Sequence, residues 1–293
     1  MSALVELDAC TKVYRVGSFG SGRLTAVDDV TFDVRSGEVV SLIGESGSGK
    51  STIGRMILRL SPVTSGAIRF KGEDISAFGD RRLAEYYRHA QGVFQDPFSS
   101  YNPVYKADRV FALVKNAYFP HVDGATWRSR IEASLEAVSL DPRQVLHKYP
   151  HQLSGGQLQR LLVARALLLD LEFLVADEII SMLDASTRID VLNLLGELKA
   201  NGLGILFITH DLSLGNYISD RTLILRRGVV VESGRTADVF GDPRHPYTRS
   251  LLAAVPHLHT KWGPGTTTEA RHSPTTPPAL VTVGPGHLAR VAQ

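Results

Sequence analysis

Short segments of alternating apolar and polar residues open the chain: Leu4–Leu7, Val30–Val34 and Val39–Ile43, set apart by the turn-formers Gly17–Gly22 and Ser36-Gly37. A period of two predicts strands, and the apolar run Val39-Val40-Ser41-Leu42-Ile43 predicts a buried one. A glycine loop follows it directly. Next, Ile53, Met56, Ile57 and Leu60 recur at the spacing of a helix stopped before Pro62. A strand Ala67–Phe70, a charged helical stretch Arg81–Arg88 and a strand Gln91–Phe94 continue the pattern.

From Asp96 to Tyr149 the texture changes. Pro97, Phe98, Asn102 and Pro103 lead into the helix-period residues Ile131, Leu135 and Val138, which predicts a mostly helical insertion over about residues 96–150. From Gly155 the alternation of elements returns, with a helix to about Leu169, a strand Phe173–Ala176, a helix Ile189–Lys199 and strands Ile205–Ile208 and Leu223–Leu225. Strands alternating with helices imply a largely parallel sheet covered on both faces. After Pro256 the composition shifts to Thr, Pro and Gly. The organisation expected is one domain over residues 1–255 and a disordered tail over 256–293.

Composition narrows the class. The 293 residues are 43% hydrophobic and 21% charged, with 26 Gly and 14 Pro, which excludes collagen-like, coiled-coil and wholly disordered chains. A formal net charge of +2 lacks the concentrated basic charge of a dedicated nucleic-acid binder, so no nucleic-acid partner is expected. Cys10 is the single cysteine, which rules out an intrachain disulfide or a cysteine-ligated cluster and suits a reducing compartment. The longest apolar region, Leu161–Ala176, is interrupted by Arg165, Asp170 and Glu172, short of the ~18–20 residues that cross a bilayer. The first residues carry acids where a signal peptide needs basic ones, so the chain is expected to stay in the cytosol.

The glycine loop carries the chemistry. Gly44-Glu45-Ser46-Gly47-Ser48-Gly49-Lys50-Ser51 fits G-x-x-x-x-G-K-[ST] between a predicted strand and a predicted helix, the context that motif requires. Glycines let successive N–H groups curl around a phosphate at a helix N-terminus, where orphan amides and the dipole favour anions. Lys50 is expected to neutralise the β/γ-phosphates, and the Ser51 hydroxyl to ligate Mg²⁺. The bland alternative, a flexible Gly/Ser linker, does not explain the flanking strand and helix. Asp177-Glu178 ends the apolar strand at Phe173–Ala176, where carboxylates face the ligand crevice of an open α/β sheet. Asp177 is expected to hold the Mg²⁺ and Glu178 to polarise the attacking water. Ser154-Gly155-Gly156-Gln157 also precedes a helix. Alone it reads as a Ser N-cap; as an anion site it either grips the same nucleotide or completes a site on another subunit.

The ordered set of Gly44–Ser51, Gln95, Leu153–Gln157, Asp177-Glu178, Ser181-Met182-Leu183-Asp184 and His210 resembles the ATP-binding subunit of an ABC transporter over roughly residues 4–255. That resemblance implies a P-loop NTPase core of the ABC type, α/β, with an antiparallel β subdomain and the inserted helical subdomain. It implies ATP and Mg²⁺ as ligands and two ATPase subunits bound head to tail, with Ser154 and Gly156 of one contacting the γ-phosphate on the other. It further implies that Tyr14 stacks on adenine and that Thr52 joins the loop in holding the nucleotide. Gln95 would sense Mg²⁺ and the membrane partner, Asp184 would lie across the dimer seam, and His210 would contact the γ-phosphate. Each has a plain rival, Tyr14 as a strand aromatic and His210 as a satisfied histidine.

Finer features narrow the resemblance. Gln95-Asp96-Pro97-Phe98, Tyr149-Pro150-His151, Val191–Leu195, and Pro243-Arg244-His245-Pro246-Tyr247-Thr248 followed by Leu251–Pro256 are similar to the oligopeptide/dipeptide importer ATPases, a branch that also serves nickel and oligosaccharides. Ile179 stands where that family has Pro, and Met182 where Ala is common; with Ile180 these are expected to alter packing at the dimer seam while leaving hydrolysis intact. The expected role is ATP hydrolysis coupled to solute uptake, peripheral at the cytoplasmic face of the cell membrane. Its expected partners are a second ATPase subunit, two permease subunits and an extracytoplasmic solute-binding protein. A soluble non-transport ABC ATPase fits less well, because neither a second ATPase half nor a long coiled-coil insertion is present. A P-loop GTPase or kinase fits less well, because no Asn/Thr-Lys-x-Asp guanine-reading motif is present and Leu153–Gln157 would be unexplained.

Overall fold

The computed structural model describes residues 3–16, 22–181, 183–254 and 279–291. Two sheets organise them. The smaller is antiparallel, in the order β2 (Gly22–Arg35), β1 (Ala3–Val16), β4 (Ser65–Phe70), β5 (Glu73–Asp74). Strands β1 and β2 are each 14 residues long, well beyond the segments that alternation predicts. The register shifts between Leu7 and Val13, and Ala9 and Asp29 adopt positive φ. Each bulge resets the period of two, so a long strand reads in the sequence as fragments.

The larger sheet runs β11 (Val281–Gly284), β12 (His287–Ala289), β10 (Val229–Arg235), β9 (Arg221–Arg226), β3 (Val39–Ile43), β8 (Gly204–Thr209), β7 (Phe173–Asp177), β6 (Ala90–Val93). From β9 to β6 every neighbouring pair is parallel. Both faces of these strands are covered, which is why they read as unbroken apolar runs. Within them the pleat still sorts side chains. Val40 and Leu42 of β3, Val175 of β7 and Leu206 and Ile208 of β8 pack with β1, β2 and helix α1 (Lys50–Ile57). Leu174, Ala176, Ile205 and Phe207 pack on the opposite face, against α6 (Gly155–Leu167) and α7 (Ala185–Ala200). Helix α1 ends earlier than its apolar spacing predicts. Arg59 takes φ +55°, and Leu60 lies past the end, 59% exposed.

Helix α2 (Asp80–His89) leads into β6, and the stretch after β6 is the expected helical insertion. It holds α3 (Arg109–Tyr118), α4 (Gly124–Ala137), α5 (Pro142–Val145) and short 3-10 turns at Phe98–Ser100 and Pro150–Gln152. Phe111, Trp127, Leu135 and Val145 join the core beneath α6. Helix α8 (Leu212–Ile218) follows β8, and α9 (Thr236–Gly241) and α10 (Pro246–Ala253) follow β10. The fold is therefore a P-loop-type α/β core with an antiparallel β subdomain and an inserted helical subdomain.

The expectation of a disordered tail needs correction at its far end. Residues 255–278 lie outside the described residues, but 281–289 form the hairpin β11–β12, which extends the large sheet at β10 through Glu232↔Ala289 and Ser233↔Leu288. Composition averaged over the whole tail hid the short alternation Val281-Thr282-Val283 and the turn Pro285-Gly286. A two-stranded hairpin is marginal alone. Here it is held by the free edge of β10 and by a buried His287 Nε2 to Glu232 Oε1 contact of 2.7 Å. Cys10 is buried, and burial pushes its thiol pKa up, as suits an unreactive core residue.

Candidate functional site

The parallel register brings the ends of four strands side by side. Ile43 pairs with Thr209, Asp177 with Ile208 and Val93 with Ala176, so the residues that follow β3, β6, β7 and β8 meet at one edge. Those residues are the glycine loop, Gln95, Glu178 and His210. A cleft of about 620 Å³ opens there, lined by Tyr14, Leu24, Ala26, Ser46, Gly47, Gly49, Lys50, Ser51, Thr52, Gln95, Glu178 and His210.

Two glycines set the loop's course. Gly49 has φ +107°, and a Cβ on it would stand 2.3 Å from the Ala26 carbonyl oxygen. On Gly44 a Cβ would stand 2.2 Å from the Leu225 carbonyl oxygen. The loop thus presses against β2 on one side and β9 on the other, and only glycine permits both approaches. Gly49 is also the N-cap of α1 and supplies no side-chain cap, which leaves the first-turn amides available to an anion. The buried Lys50 ammonium donates to the carbonyls of Gly44 at 2.7 Å and Glu45 at 2.8 Å. Desolvation lowers its pKa, against the pull of Glu178, Asp177 and Glu45. A phosphate near this ammonium offers it a charged partner in place of two neutral ones.

Ser51 Oγ donates to Asp177 Oδ1 at 3.2 Å. Asp177 is buried at the end of β7, and desolvation raises its pKa; the Ser51 bond and Lys50 act in the opposite sense. This pairing of a hydroxyl with an under-compensated carboxylate suits a hard, oxygen-seeking cation. Among the described residues no group of three or more His, Cys, Asp and Glu forms a metal cage. Mg²⁺ keeps waters and substrate oxygens in its shell and takes few protein ligands, so the Ser51 hydroxyl and the Asp177 carboxylate are donors of the right chemistry for it.

Glu178 has φ +51°, an uncommon conformation for a non-glycine residue. Its N–H donates to Ile208 O at 2.9 Å, and its carbonyl accepts from Ser181 N and Oγ at 3.1 and 2.9 Å. These bonds over-determine the strained backbone and aim the carboxylate at β8, where His210 Nδ1 lies 3.2 Å from Glu178 Oε1. The carboxylate is mostly enclosed, at 17% exposure, while the imidazole is open at 59%.

Ser154, Gly155, Gly156 and Gln157 do not line this cleft. They open α6 with a reciprocal capping box: Ser154 Oγ accepts from Gln157 N at 3.1 Å, and Gln157 Oε1 accepts from Ser154 N at 2.9 Å. The loop is connected to the cleft through the insertion. Phe98 Cε2 lies 3.8 Å from the Cβ position of Gly155, and Gln159 Nε2 donates to Phe94 O at 3.3 Å, just before Gln95. Asp184 also lies outside the cleft. It caps α7, and hydrogen bonds from Ser186 and Thr187 hold its carboxyl well below the usual carboxylate range. Ile179 and Ile180 are buried in the core with Leu183, which accounts for their size as packing within the subunit and not at a seam. Met182 lies outside the described residues.

Sequence reasoning missed Leu24 and Ala26 in the cleft wall. They face it because Tyr14 pairs with Leu24 across β1 and β2, a long-range register with no local signature. It also missed Tyr247, whose hydroxyl accepts the Glu45 N–H at 3.2 Å.

Residues 27–181 match the ABC transporter family, and residues 231–280 match the C-terminal region of oligopeptide/dipeptide transporters. The oligopeptide transport ATP-binding protein of Bacillus subtilis is 44% identical over 237 residues, covering 80% of this chain and 77% of that one. Its counterpart in Streptococcus mutans is 41% identical over 254 residues, covering 86% and 82%. In three dimensions a dimeric ATP-binding cassette, solved in a post-hydrolysis state with ADP and Pi, superposes with a TM-score of 0.72 at 29% identity, over 79% of this chain and 98% of that one. A phosphate loop facing two carboxylates is common to many nucleotide-hydrolysing folds, but likeness along most of the length, through the region after β10, is not: the chain belongs to the ATP-hydrolysing subunits of ABC transporters, in their oligopeptide/dipeptide branch.

Proposed function

We propose that this protein hydrolyses ATP to drive uptake of oligopeptides or dipeptides, and that Glu178 is the base for the attacking water. The observation that carries the chemistry is the convergence of Lys50, Ser51, Glu178 and His210 on one cleft at the strand ends, with the buried Asp177 carboxylate behind Ser51 at 3.2 Å. The cargo class rests on the match of residues 231–280 and on the oligopeptide transport proteins that share about four-tenths of the sequence.

In this reading the loop amides and Lys50 bind the β- and γ-phosphates, Tyr14 stacks on adenine, and Thr52 borders the α1 end of the site. Ser51, Asp177 and Gln95 hold Mg²⁺, which when bound offsets the charge on the phosphates. Glu178 takes a proton from water as its oxygen attacks the γ-phosphorus and the β–γ bridging bond breaks, leaving ADP and phosphate. His210, on the open side of Glu178, holds the γ-phosphate and the water in line. Positioning and fixed charge supply most of the rate enhancement in phosphoryl transfer.

A second ATPase subunit supplies Ser154 and Gly156 to this γ-phosphate, with Asp184 at the seam. The position of Ser154–Gln157 away from their own subunit's cleft supports that arrangement. No helix among the described residues is long and apolar enough to cross a membrane, so the pathway belongs to two permease subunits, which the helical insertion contacts at the cytoplasmic face. An extracytoplasmic binding protein delivers the cargo.

The test is reconstitution of the complex in proteoliposomes with ATP inside. Binding protein loaded with an oligopeptide is expected to stimulate hydrolysis and to give peptide uptake. Stimulation by nickel or an oligosaccharide, with none by peptides, would overturn the cargo class. Absence of ATP hydrolysis in every arm would overturn the chemistry.

A further inference from the structure

We infer that Tyr247 is a positioning residue for ATP binding, which fixes the start of the phosphate loop by accepting the Glu45 N–H. The inference rests on the ATP-hydrolase reading above and adds a residue contributed from 202 positions away.

The contact belongs to a built structure. Strand β9 lies beside β3, with Ile43 opposite Ile224, so the end of β9 adjoins the loop. Tyr247 is buried with Ile43, Ile224, Val231 and Val239, and the Arg226 guanidinium lies 4.9 Å from the centre of its ring. Its hydroxyl reaches the Glu45 N–H at 3.2 Å, and burial pushes the phenol pKa up, so the oxygen remains a neutral acceptor. Behind it, the N-terminus of α10 is fixed twice. His245 Nδ1 accepts the Tyr247 N–H at 3.1 Å, and the fully buried Glu232 carboxylate accepts the N–H groups of Arg244 at 2.7 Å and His245 at 2.9 Å. The same carboxylate holds His287 of the C-terminal hairpin. A line of contacts thus runs from β12 through Glu232 and α10 to the loop.

Its value follows from what Lys50 does. The Lys50 ammonium is bonded to the carbonyls of Gly44 and Glu45 and so steadies the peptides at the start of the loop. When Lys50 turns to a phosphate, both carbonyls lose that partner. Tyr247 then remains as the side chain holding Glu45, beside the loop's own Ser48 N–H to Glu45 O bond of 3.2 Å. Loss of one such hydrogen bond lowers affinity for a pre-organised site by about three- to tenfold.

The experiment uses the full chain and the variant Tyr247→Phe, which keeps the ring and removes only the acceptor. Equilibrium binding of a fluorescent ATP analogue, thermal melting and hydrogen exchange of the Glu45 amide are measured together. The expected result is a Kd about three- to tenfold higher, a melting temperature close to wild type, and faster exchange at Glu45. A variant with wild-type Kd and wild-type exchange overturns the proposal. A purely structural role would instead lower the melting temperature and leave Kd unchanged, and that result also overturns it. Should the variant fail to fold, the wild-type chain decides: a Glu45 amide exchanging as fast as an open loop overturns the proposal, and a protected one supports it. Wild-type protein that binds no ATP overturns the parent reading, an outcome distinct from wild-type binding unaltered in the variant.

Discussion

Replacing Glu178 by Gln tests the assignment of the base with little structural disturbance. Gln has the same length and keeps an oxygen for the contact that Glu178 Oε1 makes with His210 Nδ1 at 3.2 Å. The bonds that hold the strained backbone, Glu178 N to Ile208 O and Ser181 N and Oγ to Glu178 O, involve no side-chain atom of residue 178. The lost charge acts on its neighbours in two senses, since Glu178 raises the pKa of both Asp177 and Lys50. Repulsion from the buried carboxylate and attraction to the ammonium oppose one another, and stability is expected to change by roughly 0.5 kcal/mol or less. Catalysis should respond far more. A positioned general base contributes about 10²–10⁴ in rate, which is about 2.7–5.5 kcal/mol of barrier. Single-turnover phosphate release should therefore fall at least about a hundredfold, while equilibrium ATP binding stays within about threefold. ATP should also gather the variant into stable dimers, read by light scattering, because the γ-phosphate that the proposed second subunit contacts is no longer hydrolysed. Turnover within about threefold of wild type would remove Glu178 from the mechanism.

Gly49→Ala is expected to lower the melting temperature by about 2–8 °C from backbone conformation alone and to abolish ATP binding, because its Cβ meets the Ala26 carbonyl; calorimetry and ligand titration read both. Asp177→Asn should stabilise the protein at pH 7.5 while destroying hydrolysis. Its carboxyl pKa is raised in the folded state, so between the ordinary value of 3.8 and that raised value the native protein binds more protons and stability falls as pH rises. The gain should vanish as urea titrations are moved to pH values below the ordinary one, and a variant less stable than wild type at pH 7.5 would contradict the burial argument. His287→Ala removes one partner of a buried pair, but Glu232 retains two backbone N–H donors. A loss of about 3 kcal/mol is expected, the low end for such pairs, and an unchanged urea midpoint would mean the hairpin does not brace the sheet.

Local patterning was enough to place the glycine loop between a buried strand and a helix, and to put Asp177-Glu178 at the end of another strand. Fully buried parallel strands give continuous apolar runs, and phosphate loops need glycine and lysine at fixed offsets, so both leave marks within a short window. The bulged strands β1 and β2 left only fragments, because each bulge at Ala9 and Asp29 restarts the alternation. The hairpin at 281–289 was lost in a Thr/Pro/Gly-rich tail whose average composition outweighs seven strand residues.

Sequence alone thus determined the chemical inventory of this protein and the order of its elements. Tertiary structure decided which of those groups meet. The register of β3, β8, β7 and β6 brings Lys50, Gln95, Glu178 and His210 to one edge, and the register of β1 with β2 adds Tyr14 and Leu24 to the same cleft. It also sets Ser154–Gln157 apart from that cleft, buries Ile179 and Ile180 in the core, and carries Tyr247 across 202 residues to the Glu45 amide. Periodicity reports only how a residue faces its own neighbours along the chain. Contacts between distant segments depend on strand register and layer packing, which follow from burying the whole core at once.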